Sequence, residues 1–314
     1  MMGVVPVNLV RKIEFDNLTW LNIINPTKAD IEFLRQQYGF HPLVLEDCLS
    51  DVQRSKMDDY EEYLFLVLHF PRYHKDTLRL SSSEVDIFVG QRYLITLHAG
   101  ELKPLERFFT ACEQHPVERL TYMSKGSGFL LYEIISRLFD YCFPILDKIG
   151  FNLDSIERLV FSNRSQKLVE DISRTQLEII NYRRMIKPLR PVIMALERKN
   201  NKFLTENLEV YFDDITDQIE KIWNMLENFK EVVESIRATH ESSISNRINN
   251  LMKIFTVISV IIQPMLLVSG LFSMNLKGIP FSDMPNSFWI IIGVSSMPTL
   301  IIATALFMKR REWL

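Results

Sequence analysis

Two stretches near the C-terminal end carry no charge at all: 23 residues from Ile254 to Leu276 and 21 from Phe288 to Met308. As helices rising about 1.5 Å per residue, each covers a hydrocarbon core about 30 Å thick. Two such runs in succession, joined by a short polar loop, are rare among the buried helices of soluble folds. A pair of membrane-spanning helices is therefore expected. Arg247 and Lys253 precede the first run, and Lys309, Arg310 and Arg311 follow the second, whereas the loop holds only Lys277 and Asp283. Basic flanks stay in the cytoplasm, so both termini are expected inside a plasma (inner) membrane and the loop outside.

The chain as a whole is 47% hydrophobic and 24% charged, an ordinary globular mixture, so membrane character is confined to this end. A net charge of −3 gives no general attraction to nucleic acid, and no nucleic-acid partner is expected. Cys48, Cys112 and Cys142 are too scattered for a zinc knuckle or a disulfide framework, and buried reduced thiols are expected. The opening "MMGVVPVNLVRKIEF" has no basic segment ahead of its apolar stretch, so no signal peptide is expected.

Ahead of the membrane runs, the first hundred residues mix strand and helix signals. In "NPTKADIEFLRQQYG", Thr27 is placed to cap a helix with Ile31 and Leu34 on its apolar face, and Gly39 to stop it. "YLFLVLHF" (63–70), "EVDIFVG" (84–90) and "RYLITLH" (92–98) read as strands, the last two joined as a hairpin at Gly90-Gln91. Helical periodicity follows, with interruptions expected at Pro144, Pro188 and Pro191. From about Asn207 to Leu271 it runs on without a glycine until Gly270 or a proline until Pro264. A helix of that length reaches roughly 100 Å and needs partners along its sides. It reads as a stalk.

The expected fold is thus an α+β cytoplasmic domain, a mixed sheet with flanking helices, joined by a very long stalk helix to a two-helix transmembrane hairpin. The boundaries are 1–202 for the cytoplasmic domain, 203–252 for the cytoplasmic part of the long helix and 253–272 for the first span. The external loop is 273–287, the second span 288–308 and the basic tail 309–314.

Wound as a helix, the first span aligns Asn249, Met252, Thr256, Ser259, Gln263 and Gly270 within roughly 80° of arc. A glutamine facing lipid is costly unless it meets water or a partner. The hydroxyls alone could bond back to their own helix, and Gln263 could join helices. The whole stripe favours a wet pathway. One stripe cannot enclose a pathway, so several copies are expected around a shared axis, the first span inside and the second against lipid. Neutral oxygens suit a hard divalent cation that keeps its water, Mg²⁺ above all, and hold it weakly enough to release it. Neither span carries the cysteine or histidine that softer metals prefer.

Between residues 203 and 241 ten acids face three bases. Such a run is commonly a solvated face. Across subunits, however, Asp213 and Asp214 would repel, and a bound cation relieving that repulsion would couple internal ion level to a gate.

Taken together these features resemble the CorA family of divalent-cation transporters. "HPLVLEDCLSDVQRSKMDDYEEYLFLVL" (41–68) is similar to its cytoplasmic signature, and the two spans with the "KRREWL" tail match its terminal layout. The family's Gly-Met-Asn signature stands here as Ser273-Met274-Asn275. The resemblance implies a homopentameric funnel with Asn275 in a ring of amide oxygens at the outer mouth, supported by Met274. It further implies Asn249, Met252 and Phe255 along the inner pore, and with Thr256, Ser259, Gln263 and Gly270 of the stripe, and Leu266, these are the expected pore-lining residues. A regulatory cation site between subunits would take Asp214, with Asp213, from the stalk and Asp76 opposite. Ser273 replaces the family's glycine, Gln263 stands where a methionine-like constriction often lies, and "MPNS" (284–287) lacks the usual acid after Met-Pro.

Voltage suffices as a driving force, at roughly 2.3 kcal/mol per charge per 100 mV, and no phosphate-binding glycine-lysine loop is present in the sequence. No organic cofactor is expected. The six histidines show no paired spacing and no nucleophile motif occurs, so an enzyme is not expected. Mg²⁺ uptake gated by internal cation is the leading reading. The alternatives are a carrier of Zn²⁺, Co²⁺ or Ni²⁺, suggested by "GIPF" in the loop, and a non-conducting membrane sensor that lost transport at Ser273.

Overall fold

A strand that alternates between two apolar cores organises the N-terminal half. In the computed structural model, the residues described are 10–50, 53–74, 79–160, 165–198, 208–274, and, beyond these, 285, 289–290, 292–293, 296–297, 299–301 and 304. Strands β1 (Val10–Phe15), β2 (Leu18–Ile24), β3 (Lys56–Asp59), β4 (Tyr63–His74), β5 (Arg79–Gly90) and β6 (Tyr93–His98) form one sheet. Its order is β1-β2-β6-β5-β4-β3, and the single parallel pair joins β2 to β6 with Trp20 opposite Leu94.

The sheet is covered on both faces, and β4 shows why its sequence is apolar throughout. Leu64, Leu66, Leu68 and Phe70 enter the larger core, while Tyr63, Phe65 and Val67 enter the smaller one. The smaller core is closed by α1 (Lys28–Tyr38) and α2 (Pro42–Asp47), which contribute Leu34, Val44 and Leu45. The larger one is closed by α3 (Lys103–Gln114), α4 (Pro116–Met123), α5 (Ser127–Asp140), α6 (Cys142–Val160), α7 (Ser165–Arg198) and the start of α8 (Glu209–Ser273). Each fully buried side chain of this size stabilises the fold by about 1.5–3 kcal/mol. Free Cys48, Cys112 and Cys142 are all buried, as expected, and burial pushes the thiols of Cys112 and Cys142 up to about 12.

The helix read at 27–39 forms as anticipated. Thr27 and Asp30 make reciprocal hydrogen bonds across the first turn, and Gly39 ends the helix at φ 69°. Such a box stabilises the terminus because two otherwise orphaned N–H groups find acceptors.

Three expectations are corrected. The hairpin turn is Gln91-Arg92, because Gly90 still belongs to β5 and lies beneath the ring of Tyr93. Pro144 falls in the first turn of α6, where a missing N–H costs nothing. Pro188 and Pro191 lie inside an unbroken α7. Their rings deprive the carbonyls of Arg184 and Lys187 of a donor, but both those residues are exposed, so water can replace it.

The chain divides into two units, Met1–Arg237 and Ala238–Leu314, and the residues of α8 fall in both.

Candidate ion pathway

The second unit begins with the C-terminal half of α8, which ends at Ser273, two residues beyond the Leu271 expected from the periodicity. It contains a window of mean hydropathy 2.2, long enough to cross a bilayer, and no part of that window is buried within the chain. Apolar side chains left uncovered in this number require another apolar environment. Phe255 is 63% exposed and Leu266 66%.

The helix places the polar stripe on one outer face. Asn249, Met252, Phe255, Thr256, Ser259, Gln263, Leu266 and Gly270 are all exposed. The Thr256 hydroxyl donates to the carbonyl of Met252 at 2.8 Å, so its oxygen is left as an acceptor. Pro264 sits inside the helix. Having no N–H, it leaves the carbonyl of Val260 without its usual donor, and that position borders the stripe. This backbone oxygen is an acceptor that the side-chain stripe alone does not include, and Pro264 in the sequence is its signal. At Gly270 a Cβ would meet open space, which leaves the backbone approachable.

At the end of α8 the Ser273 hydroxyl donates to the Gly270 carbonyl at 2.8 Å, and the Met274 N–H donates to Leu271 at 3.3 Å. Ser273 therefore satisfies a carbonyl of the last turn, where C-terminal carbonyls lack helical partners. Asn275, the key member of the expected outer ring, lies outside the described residues, as does most of 275–288. Of the second predicted span, the described residues from Trp289 to Thr304 are helical. Thr299 donates to Ser296 at 2.6 Å, and Thr304 to Leu300 at 2.9 Å, so both hydroxyls turn back on their own backbone. The basic tail 309–314 lies outside the described residues.

The candidate regulatory acids belong to the first unit. Asp213 and Asp214 are exposed on α8, and Asp214 accepts a hydrogen bond from Gln218 at 3.0 Å. Asp76 lies outside the described residues, so its pairing with Asp214 is untouched by the geometry. Among the described residues no three His, Cys, Asp or Glu side chains converge as a ready set of metal ligands. The acid excess of the stalk is smaller than a count along α8 suggests. Arg183 and Arg190 on α7 pair with Glu227 and Glu220, and both guanidinium groups lie over Trp223, at 5.0 and 5.3 Å.

Comparison with known proteins gives consistent results across nearly the whole chain. The family described as CorA-like Mg²⁺ transporter protein matches residues 15–310. The cobalt/magnesium transport protein CorA of Thermotoga maritima is 28% identical over 94% of this chain and 83% of its own. The putative metal ion transporter YfjQ of Bacillus subtilis is 27% identical over 94% of this chain and 89% of its own. Among solved structures, the CorA magnesium transporter from Methanocaldococcus jannaschii superposes with a TM-score of 0.80 at 20% identity, covering 93% of this chain and 92% of that one. At that identity the likeness establishes the fold.

Proposed function

This chain belongs to the CorA-like Mg²⁺ transporter family, and on that premise we propose that it carries hydrated Mg²⁺ into the cell along the inward-turned polar stripe of α8. The single observation that carries the reading is the uncovered apolar half of α8 bearing one narrow edge of amide, hydroxyl and backbone oxygens. Five copies with those edges facing a common axis enclose a neutral corridor, while the rest of each helix meets its neighbours and lipid. Residues 253–272 then form the pore-lining span, 288–308 the outer span, 273–287 the external loop and 309–314 the cytoplasmic tail. Residues 1–202 and 203–252 stand in the cytoplasm.

In this arrangement Ser273, Met274 and Asn275 form the outer mouth, where Asn275 offers the first amide to an arriving ion. Thr256, Ser259 and Gln263 receive the ion's waters in turn, with Asn249 toward the cytoplasm. Neutral acceptors hold a hydrated divalent ion by its water, so it leaves as readily as it enters. The membrane potential supplies the drive, about 4.6 kcal/mol per 100 mV for a double charge. Cation bound near Asp213 and Asp214 closes the pathway from inside.

The test uses purified protein in liposomes, following Mg²⁺ and Zn²⁺ uptake under an imposed potential and, separately, an imposed proton gradient. Mg²⁺ entry that tracks voltage supports the proposal. Zn²⁺ entry tied to protons, or no entry of either ion, refutes it in favour of a transition-metal carrier or a sensor.

A further inference from the structure

A cavity of about 560 Å³ lies between α3, α4 and α5 of the first unit, inside the range of about 300–1,000 Å³ usual for small-molecule sites. A tight corner sets its walls. His115 ends α3 and leads directly into α4, whose first turn carries Pro116. Arg119 of α4 donates back to the carbonyl of Cys112 at 2.9 Å, one of the carbonyls at the end of α3 that lack a helical donor. Side chains one turn apart then face the same space. They are Arg107 and Ala111 from α3, Glu118 and Tyr122 from α4, and Arg137 from α5 with Tyr141 at its end.

Arg137 is the group left unfinished. Its guanidinium carbon lies 4.2 Å from the centroid of the Phe108 ring and 5.0 Å from that of Tyr122, and the two rings meet at 81°. The rings hold the flat cation by its faces, which leaves its edges for recognition. Nη2 donates to Glu133 at 3.1 Å, while Nε is buried without a partner. Nη1 donates to none of the described residues, and with the side chain 34% exposed it is the edge open to a ligand. A guanidinium carries five donors, and such donors are rarely left idle in a folded interior. Arg107, exposed at the rim, adds a second positive charge with no ion pair among the described residues.

The opposite sign is present as well. Glu118 and Asp140 line the same cavity, and neither enters an ion pair among the described residues. These carboxylates repel a polyanion, and the two arginines repel a simple cation. A molecule that carries both charges beside a flat apolar body meets neither objection.

We propose that this cavity binds an aromatic α-amino acid, with its carboxylate on Arg137 and Arg107, its ammonium on Glu118 and Asp140, and its ring against Tyr122 and Tyr141. A carboxylate matches the planar edge of a guanidinium, and bonds between two charged groups are roughly twice as strong as neutral ones. The tyrosines offer ring contacts of the offset or edge-to-face kind. No residue of α8 lines the cavity, so the site lies apart from the polar stripe and does not rest on the transport reading.

The experiment is calorimetric titration of the full-length protein in detergent with L-phenylalanine and L-tryptophan. Phenylpropionate, which lacks the ammonium, phenethylamine, which lacks the carboxylate, and inorganic phosphate are titrated beside them. Either amino acid should bind once per chain. Phenylpropionate and phenethylamine should each bind about tenfold more weakly or worse, because each leaves charged hydrogen-bonding groups unmatched. Arg107→Gln should weaken both the amino acids and phenylpropionate. Asp140→Asn should weaken the amino acids and leave phenylpropionate unchanged, a split that general loss of structure would not give. Arg137→Lys, which keeps the charge but not the flat edge, should weaken every carboxylate compound. Should it fail to fold, Arg107→Gln and Asp140→Asn decide, since both positions are exposed. The absence of binding by either amino acid overturns the proposal. So does unchanged affinity in the variants, or phosphate or phenylpropionate binding as tightly as the amino acids. Liposome flux is read separately, so failure of this site and failure of transport are told apart.

Discussion

Thr256 donates its hydroxyl proton to the carbonyl of Met252, one turn earlier on the same helix, at 2.8 Å. The oxygen that remains can only accept, and a cation's first-shell water is a strong donor. Thr256→Val keeps the shape and removes the acceptor. Mg²⁺ flux into liposomes should fall at least about fivefold, since hydrogen bonds involving charged groups are worth about 1.5–3 kcal/mol. Thr256→Ser, which keeps the oxygen, should retain most of it. Equal flux in all three proteins would remove Thr256 from the pathway.

Gly90 and Tyr93 give a prediction about the sheet. A Cβ at Gly90 would come 2.4 Å from the Tyr93 ring, and that ring is itself held against Tyr38 at 4.8 Å. Gly90→Ala should therefore cost about 1–3 kcal/mol, as overpacking commonly does. Thermal unfolding of the detergent-solubilised protein should show a lower midpoint. In a Tyr93→Ala background the same substitution should cost much less, and a double-mutant cycle measures the difference. Additive effects would mean the ring moves aside freely.

How much of this was legible in the sequence depends on how local each signal is. The Thr27–Asp30 box and the Gly39 stop are written within thirteen residues, and both form. The stripe on α8 was legible because a helix converts spacing directly into direction. β1 and β2 were not anticipated: their turn depends on Asp16 adopting a positive φ of 50°, and β2 is fixed by β6, more than seventy residues away. The stalk's charge balance is non-local for a similar reason. Glu220 and Glu227 are balanced by arginines of α7, which no count along α8 can reveal. What covers the apolar surface of α8 is likewise written nowhere in the chain, which shows only that this surface is left uncovered.

Glu106 gives the stability of the first unit a defined pH dependence. The His98 N–H, with Nδ1 occupied by the Gly100 N–H, donates from Nε2 to Glu106 at 3.1 Å, and Asn22 donates to the same oxygen at 2.8 Å. Arg11, shared with Glu113, adds its charge. The bond from His98 chiefly, opposed by burial and helped by Asn22, holds the Glu106 carboxyl below its ordinary 4.5. A depressed folded value means stabilisation that is complete above the unfolded value and is lost as pH falls through the folded one. Glu106→Gln should thus be less stable at pH 7 by about 1.5–3 kcal/mol, read as a lower unfolding temperature. Its deficit should shrink as pH drops below about 4.5. A deficit independent of pH would assign the loss to packing.

Asp214 tests the proposed gate. It is exposed on α8 beside Asp213, with Gln218 as a neutral donor, so its charge is open to a partner outside the helix. If several copies bring this pair together, repulsion between them favours separation, and a shared divalent cation reverses that preference. A ligand shifts such an equilibrium only by its differential affinity for the two arrangements, and couplings of 1–3 kcal/mol are usual. Asp214→Asn removes one charge per copy and keeps the hydrogen bond with Gln218. The internal Mg²⁺ needed for half-inhibition should rise about fivefold or more, while flux at very low internal Mg²⁺ stays unchanged. Asp213→Asn should shift it in the same direction, because both carboxylates contribute to one field. Proteoliposomes loaded with graded Mg²⁺ give the curve directly. Inhibition at the same concentration in both variants and the unaltered protein would place the sensor elsewhere, and a matching fall in basal flux would make Asp214 part of the pathway instead of its gate.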